Sequence, residues 1–111
     1  MRGGPARRVT IRSEQVDRDR RYLWAYLDGD GNLHIDGQDL GPGTGPVSPD
    51  GEYEWFQTIN AVDVPRVVDL LGGQPGTDVL DILEANWSGS RSYDLERTLR
   101  ASGIDIKRSV Y

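Results

Sequence analysis

The sequence predicts an α+β domain in which an antiparallel sheet of about five strands carries about three helices on one face. Apolar residues alternate with a period of two in the first 59 residues and again after residue 103. Between these segments, apolar residues recur at the i, i+3, i+4 spacing of amphipathic helices. A block of strands followed by a block of helices is typical of this fold class. The length of 111 residues fits a single domain, which we place at residues 9–111, after a flexible arm at residues 1–8.

Four strands are predicted before the helices. Residues 9–14 alternate apolar with charged or polar side chains, a pattern that edge strands tolerate. Residues 22–27 are aromatic and β-favouring, and residues 32–36 are their expected partner across an Asp-Gly-Asp-Gly turn. Residues 52–59 resume the alternation after a connector rich in Gly and Pro at residues 40–50, which we expect to form a mobile flap beside a binding surface.

The hairpin formed by residues 22–27 and 32–36 has two possible registers. A two-residue loop at Asp30-Gly31 pairs Tyr26 with Ile35, so that Tyr22, Trp24 and Tyr26 face the core. A three-residue loop shifts the pairing by one and turns these aromatic residues outward, while the aliphatic residues between them face the core. We favour the two-residue loop because it is the commoner connection.

Three helices and a last strand are predicted in the remainder of the chain. We expect caps at Asp63, Thr77 and Ser92, because short polar side chains accept hydrogen bonds from the first turn of a helix. Glycines at the ends favour termination of the first and third helices. The apolar stripes of the three helices, in order, are Val64, Val67, Val68 and Leu71; Val79, Ile82, Leu83 and Trp87; and Leu95 and Leu99. The last strand contains Ile104, Ile106 and Val110.

Charge is distributed unevenly along the chain. The formal net charge is −5, made up of +4 in residues 1–21, −11 in residues 22–86 and +2 in residues 87–111. A central segment with this much negative charge repels the phosphate backbone of nucleic acids, and we therefore expect no nucleic-acid ligand. The same field attracts a basic protein. Since no stretch is long and apolar enough for a transmembrane helix and no secretory signal is evident, we also expect no membrane association and a cytoplasmic location.

Few residues suit catalysis or metal binding. The chain has no Cys and a single His, His34, which we interpret as a surface strand residue without a serine placed to act as a nucleophile. The acidic residues of the hairpin follow the spacing of an EF-hand loop, but Leu33 occupies the position that requires Gly, and Asp39 the position that usually holds Glu. We therefore predict no catalytic residue, no metal site, no cofactor and no enzymatic activity.

Aromatic residues on neighbouring strands, beside acidic ones, are the strongest functional signal. Aromatic anchors within a charged rim are typical of protein interfaces. The residues that we predict to bind a partner are Tyr22, Trp24, Tyr53, Trp55, Asp28, Asp30, Asp36, Glu52 and Glu54.

The run from Tyr26 to Gly43, together with Glu52-Tyr53-Glu54-Trp55 and the segment at residues 62–72, resembles a family of small uncharacterised actinobacterial proteins without assigned activity. That resemblance implies no site residues. By size and acidity the chain is similar to immunity proteins that neutralise toxins. We therefore expect a non-catalytic protein-binding module that occludes a basic partner, as a monomer or homodimer. The alternatives are a self-associating structural module, through strand edges such as those of residues 9–14 and 104–110, and a small-molecule enzyme.

Overall fold

The computed structural model of the chain describes residues 7–41 and 52–110. These residues form a five-stranded antiparallel sheet and three α-helices, which confirms the predicted α+β class. The strands are β1 (Arg8–Val16), β2 (Asp19–Leu27), β3 (Leu33–Leu40), β4 (Glu52–Ile59) and β5 (Ile106–Val110), and the helices are α1 (Val64–Leu70), α2 (Val79–Asn86) and α3 (Ser92–Ala101). Single 3-10 turns precede α1 at Ala61–Asp63 and α3 at Gly89–Arg91.

The sheet is a meander in which the strand order follows the chain, from β1 to β5. β1 and β5 are the two outermost strands, as the charged alternation of β1 predicts. The pairing of β1 with β2 shifts between Thr10 and Arg12, so that Ile11 and Arg12 are both buried. This irregularity is a β-bulge, which places two consecutive side chains where a regular strand would bury one.

The register of the β2–β3 hairpin is the three-residue alternative, and our preference for the two-residue loop was wrong. Leu27 pairs with Leu33, and Tyr26 with His34. The turn is closed by a hydrogen bond from the Gly31 backbone N–H to the Asp28 carbonyl at 3.0 Å, and Gly31 adopts a φ of 83°. A turn followed by a left-handed glycine is the usual form of a three-residue hairpin loop. The aromatic side chains of β2 therefore face away from the core.

One face of the sheet is covered by the helices. Aliphatic side chains alternate along β2 and β3 on this covered face, and they form a single buried cluster with those of the helices. Fully buried members include Leu23, Ala25, Leu33, Ile35, Val67, Leu83 and Leu95. The aromatic residues of β2 lie on the opposite face and are only partly buried.

Two of the predicted helix caps differ in the structure. The cap of α2 is Asp78, whose carboxylate accepts from the Leu80 backbone N–H at 2.9 Å, and not Thr77. Ser92 is the first residue of α3 and is fully buried, so it does not cap the helix from outside. Asp63 occupies the predicted position before α1 but makes no capping hydrogen bond through its side chain. Ile104 is buried, but it precedes the last strand, which begins at Ile106.

Trp55 lies on the covered face and packs against Gly37 of the neighbouring strand, with which it is paired. A Cβ atom built on Gly37 would lie 2.2 Å from Cζ2 of the indole, so only glycine accommodates the ring there. Trp55 is 5% exposed and belongs to the core.

Parts of two predicted segments lie outside the described residues. They are residues 1–6 of the arm and residues 42–50 of the connector in which we expect a flap. The first strand begins at Arg8, the last residue that we assigned to the arm.

Candidate functional site

The face of the sheet opposite the helices carries aromatic side chains from two strands. Tyr22, Trp24 and Tyr26 come from β2 and Phe56 from β4, with polar side chains of β3 between them. We call this surface the aromatic face. Its members on β2, β3 and β4 are Arg20, Tyr22, Trp24, Tyr26, His34, Asp36, Gln38, Leu40, Glu52, Glu54, Phe56 and Thr58, and the outer strands add Arg8 and Lys107.

The register arranges the aromatic face in rows that run across the strands. The central row consists of Trp24, Asp36 and Phe56, which are direct cross-strand partners. The row on one side contains Tyr26 and His34. Directly paired side chains on one face of a sheet lie close enough to touch. A carboxylate therefore sits between two aromatic residues at the centre of this face.

Asp36 is only 4% exposed although the described helices all lie on the opposite face. Burial raises the pKa of the Asp36 carboxyl, against the opposing effects of a hydrogen bond from the Gln57 backbone N–H and one from the Tyr26 hydroxyl. One carboxylate oxygen, Oδ1, has no hydrogen-bond partner. A buried acceptor without a donor is costly, and such groups are uncommon in folded proteins.

His34 is held between Asp28 and Tyr26. Its Nε2 lies 2.8 Å from Oδ2 of Asp28, and its ring stacks on Tyr26 with a centroid separation of 4.6 Å. Because an ionised carboxylate only accepts hydrogen bonds, Nε2 donates to Asp28, and in the neutral ring Nδ1 is the acceptor. The hydroxyl of Thr58 lies 3.4 Å from Nδ1. His34 is thus on the sheet surface, as predicted, but is fixed on both sides.

Asp28 uses both of its carboxylate oxygens within the hairpin. Oδ1 accepts from the backbone N–H groups of Asp30 and Asn32 at 2.9 and 3.1 Å, and Oδ2 accepts from the Asn32 side chain at 3.1 Å in addition to His34. The hydrogen bond with His34 is the main reason that the pKa of Asp28 lies well below its ordinary value. The carboxylate shapes the loop at the edge of the aromatic face.

A depression of about 380 Å³ adjoins Trp24 on the aromatic face. Arg8 stands at its rim, with the guanidinium carbon 4.3 Å from the centroid of the Trp24 indole. This is a cation–π contact. Other side chains that line the depression include Thr10, Ser13, Tyr22 and Gln38.

Acidic side chains lie together at one end of the aromatic face. Gln38 donates to Oε1 of Glu52 at 2.9 Å. A hydrogen bond shared with Glu52 raises the pKa of Glu54, because two carboxyl groups in contact are disfavoured when both are ionised.

The structure brings together five of the residues predicted to bind a partner: Tyr22, Trp24, Asp36, Glu52 and Glu54. Asp28 and Asp30 lie in the adjacent hairpin loop. Tyr53 and Trp55 lie on the covered face, with ring centroids 5.4 Å apart, so their prediction as partner-binding residues was wrong. The residues of β4 that share a face with the aromatic residues of β2 are Glu52, Glu54, Phe56 and Thr58. Sequence reasoning omitted Phe56 and Arg8, which the strand alternation would have identified once the register was known.

A second polar cluster, which the sequence did not reveal, joins β1 to α3 on the covered face. Arg12 is 4% exposed and donates to Ser92 Oγ at 2.8 Å and to Glu96 Oε1 at 2.6 Å. Its guanidinium carbon lies 3.7 Å from the centroid of the Tyr93 ring, and the Tyr93 hydroxyl donates to Glu14. These contacts satisfy a buried cation and fix the helix against the edge strand.

No group of three or more potential metal ligands clusters in the part of the chain that the structure describes. Within the same residues, no helix has the length and hydropathy needed to cross a membrane. Comparison with protein-family models, with curated proteins and with solved structures finds no match.

Proposed function

We propose that the protein is a non-catalytic binding module that occludes a basic protein partner with its aromatic face, in the manner of an immunity protein. The observation that carries this proposal is the sheet face opposite the described helices, where Trp24 and Phe56 flank a buried carboxylate. When one face of an antiparallel sheet packs on the core, the other face is ordinarily polar because it meets water. Aromatic side chains enriched at its centre are typical of the energetic centre of a protein interface.

The acidic side chains around the aromatic face support a basic partner, and they lie on a face that also carries Arg8, Arg20 and Lys107. Glu52 and Glu54 lie at one end of the face, and Asp28 and Asp30 lie in the adjoining loop. Charges at the rim of an interface act mainly on the rate of association and on its salt dependence. We therefore expect added salt to slow complex formation more than it accelerates dissociation.

The contacts of His34 give its ring a structural role at the edge of the aromatic face. Nε2 of His34 is bonded to Asp28, and the ring face lies on Tyr26. The imidazole therefore connects the hairpin loop to the sheet.

Site-directed photocrosslinking in cells of the source organism tests this proposal. A photoreactive phenylalanine analogue at Tyr22 reports on the aromatic face, and the same analogue at Val62, which is 80% exposed and lies near α1, is the matched control. We expect one defined protein to be crosslinked from Tyr22 but not from Val62, and the crosslink to disappear when Trp24 and Phe56 are both replaced by Ala. Equal capture from the two positions, or capture that survives the double replacement, would rule the proposal out.

Self-association is a second candidate, favoured by the two outer strands of the sheet that the described residues form. β1 and β5 are the outermost strands, and Val16 and Val110 are 41% and 48% exposed there. Lys107 and Arg108 oppose it, since charged residues on an edge strand discourage pairing between chains. Light scattering at high micromolar concentration tests this candidate, and a monomer mass would reject it.

A further inference from the structure

Gln57 is a polar residue on the covered face of β4, and its nearest neighbours on that face belong to the core. Trp55 and Ile59, two positions away on either side, are 5% and 1% exposed. The Gln57 side-chain amide donates to the Ile35 carbonyl at 3.4 Å, a long and therefore weak hydrogen bond. A side-chain amide carries two N–H donors, and among the described residues the second has no acceptor. Gln57 can therefore donate a further hydrogen bond.

A groove of about 260 Å³ opens beside Gln57, between α3 and the strands β4 and β5. Three aliphatic side chains, which we call the apolar wall, line part of it: Leu99, Ile104 and Ile106. Leu99 and Ile104 are buried members of the core, and Ile106 is partly buried against them. Ligand pockets usually combine an apolar lining with a few polar groups that orient the ligand. The apolar wall and the Gln57 amide supply both features.

Two arginines border the groove without an anionic partner. Arg108 is the cross-strand partner of Gln57 and shares its face, and Arg100 lies in the last turn of α3. Glu96 also borders the groove, four residues before Arg100, at the spacing at which opposite charges usually pair on a helix. Its carboxylate instead pairs with the buried Arg12 at 2.6 Å. Among the described residues neither Arg100 nor Arg108 forms an ion pair, so both guanidinium groups are available to an anion.

We infer that this groove binds a small organic carboxylate whose apolar part is a compact ring or branched chain. The carboxylate accepts hydrogen bonds from Arg100, Arg108 and the second N–H of Gln57, and the apolar part packs on the apolar wall. A guanidinium presents paired donors that match the two oxygens of a carboxylate. The side chains of the apolar wall offer no donor to the additional oxygens of a phosphate. Since pockets for drug-sized ligands usually measure roughly 300 to 1,000 Å³, the ligand of this smaller groove is itself small.

Benzoate, benzamide, acetate and inorganic phosphate separate the features of this site. Benzamide keeps the ring without the charge, acetate keeps the carboxylate without the ring, and phosphate is an anion without an apolar part. Each is titrated into the full chain at constant pH and ionic strength, and the side-chain amide resonance of Gln57 is followed by NMR. We expect benzoate to shift this resonance saturably, with a dissociation constant on the order of 1 mM, and each of the others to bind at least about fivefold more weakly.

Arg100→Gln and Arg108→Gln test the two guanidinium groups, and each has a matched control that removes one positive charge outside the groove. Arg97 is on α3 but does not line the groove, and Lys107 is next to Arg108 on β5 but on the opposite face of the sheet. We expect each groove variant to weaken benzoate binding by about three- to tenfold, and Arg97→Gln and Lys107→Gln to change it by less than about twofold. All four side chains are exposed, so the variants should remain folded, which thermal unfolding checks.

Benzamide or acetate that binds as tightly as benzoate would overturn this inference, as would equal losses in a groove variant and its control. Phosphate that binds more tightly than benzoate would indicate a general anion site and would also overturn it, and so would the absence of any saturable shift with benzoate. The inference is independent of the proposed function, because the aromatic face and the crosslink from Tyr22 are on the opposite side of the sheet.

Discussion

Replacement of Trp24 and Trp55 by Ala should have very different effects on stability, because these two residues lie on opposite faces of the sheet. Trp55 is 5% exposed and is packed on Gly37, so Trp55→Ala leaves a large cavity and should cost about 3 to 5 kcal/mol. Trp24 is only partly buried, on the face without helices, and its truncation should cost roughly 1 to 2 kcal/mol, including the contact with Arg8.

Urea unfolding followed by far-ultraviolet circular dichroism measures both values without depending on the fluorescence of the residue removed. The free energy lost in Trp55→Ala approaches the total free energy of unfolding expected of a small domain, which is about 5 kcal/mol at the low end. Trp55→Phe is therefore a milder variant, and it should lose about 1 to 2 kcal/mol. A double-mutant cycle between Arg8 and Trp24 should return a coupling of about 0.5 to 1 kcal/mol. A loss at Trp24 as large as that at Trp55 would refute the three-residue register of the hairpin.

Three further predictions concern the buried polar groups and the glycines. Burial raises the folded-state pKa of Asp36 above its unfolded value, so the ionised carboxyl lowers the free energy of unfolding at neutral pH. Asp36→Asn should therefore stabilise the protein at pH 7, and urea titrations at pH 3 should show no such stabilisation. Arg12→Leu should destabilise by about 3 to 5 kcal/mol by leaving Glu96 unpaired, and chemical denaturation should show partial recovery in the double variant with Glu96→Leu. Gly37→Ala should lose about 1 to 3 kcal/mol in thermal unfolding through its clash with an indole, whereas Gly29→Ala, with nothing within 4 Å of the new methyl group, should change little.

The fold class was predictable because one block of helical periodicity, which begins near Asp63, separates two segments of strand periodicity. The register of the hairpin was not predictable, because both faces of β2 are apolar and period-two alternation does not show which face lies on the core. Two structural details decide it: the left-handed Gly31, which extends the loop to three residues, and the close packing of small aliphatic side chains beneath the helices.

The candidate site was predictable only in part, for the same reason. Tyr22, Trp24 and Asp36 share a face in the three-residue register, but the pattern alone wrongly placed Tyr53 and Trp55 beside them. The buried contact of Arg12 with Ser92 joins residues 80 positions apart, which no local pattern indicates. Likewise, Thr77 and Asp78 are adjacent and equally suited to cap a helix, and only the backbone geometry distinguishes them.

The strand order of the sheet has a consequence for how the chain folds. β1 to β4 are consecutive neighbours, so each of their pairings closes a short loop, whereas β5 joins β4 only after the whole helical segment has been laid down. Loop-closure entropy makes the near pairings fast and the last one slow. We expect the central hairpin to be formed in the folding transition state and β5 to dock after it, so substitutions in β5 should accelerate unfolding and leave the folding rate nearly unchanged. The strand that is synthesised last is then also the strand that joins the sheet last.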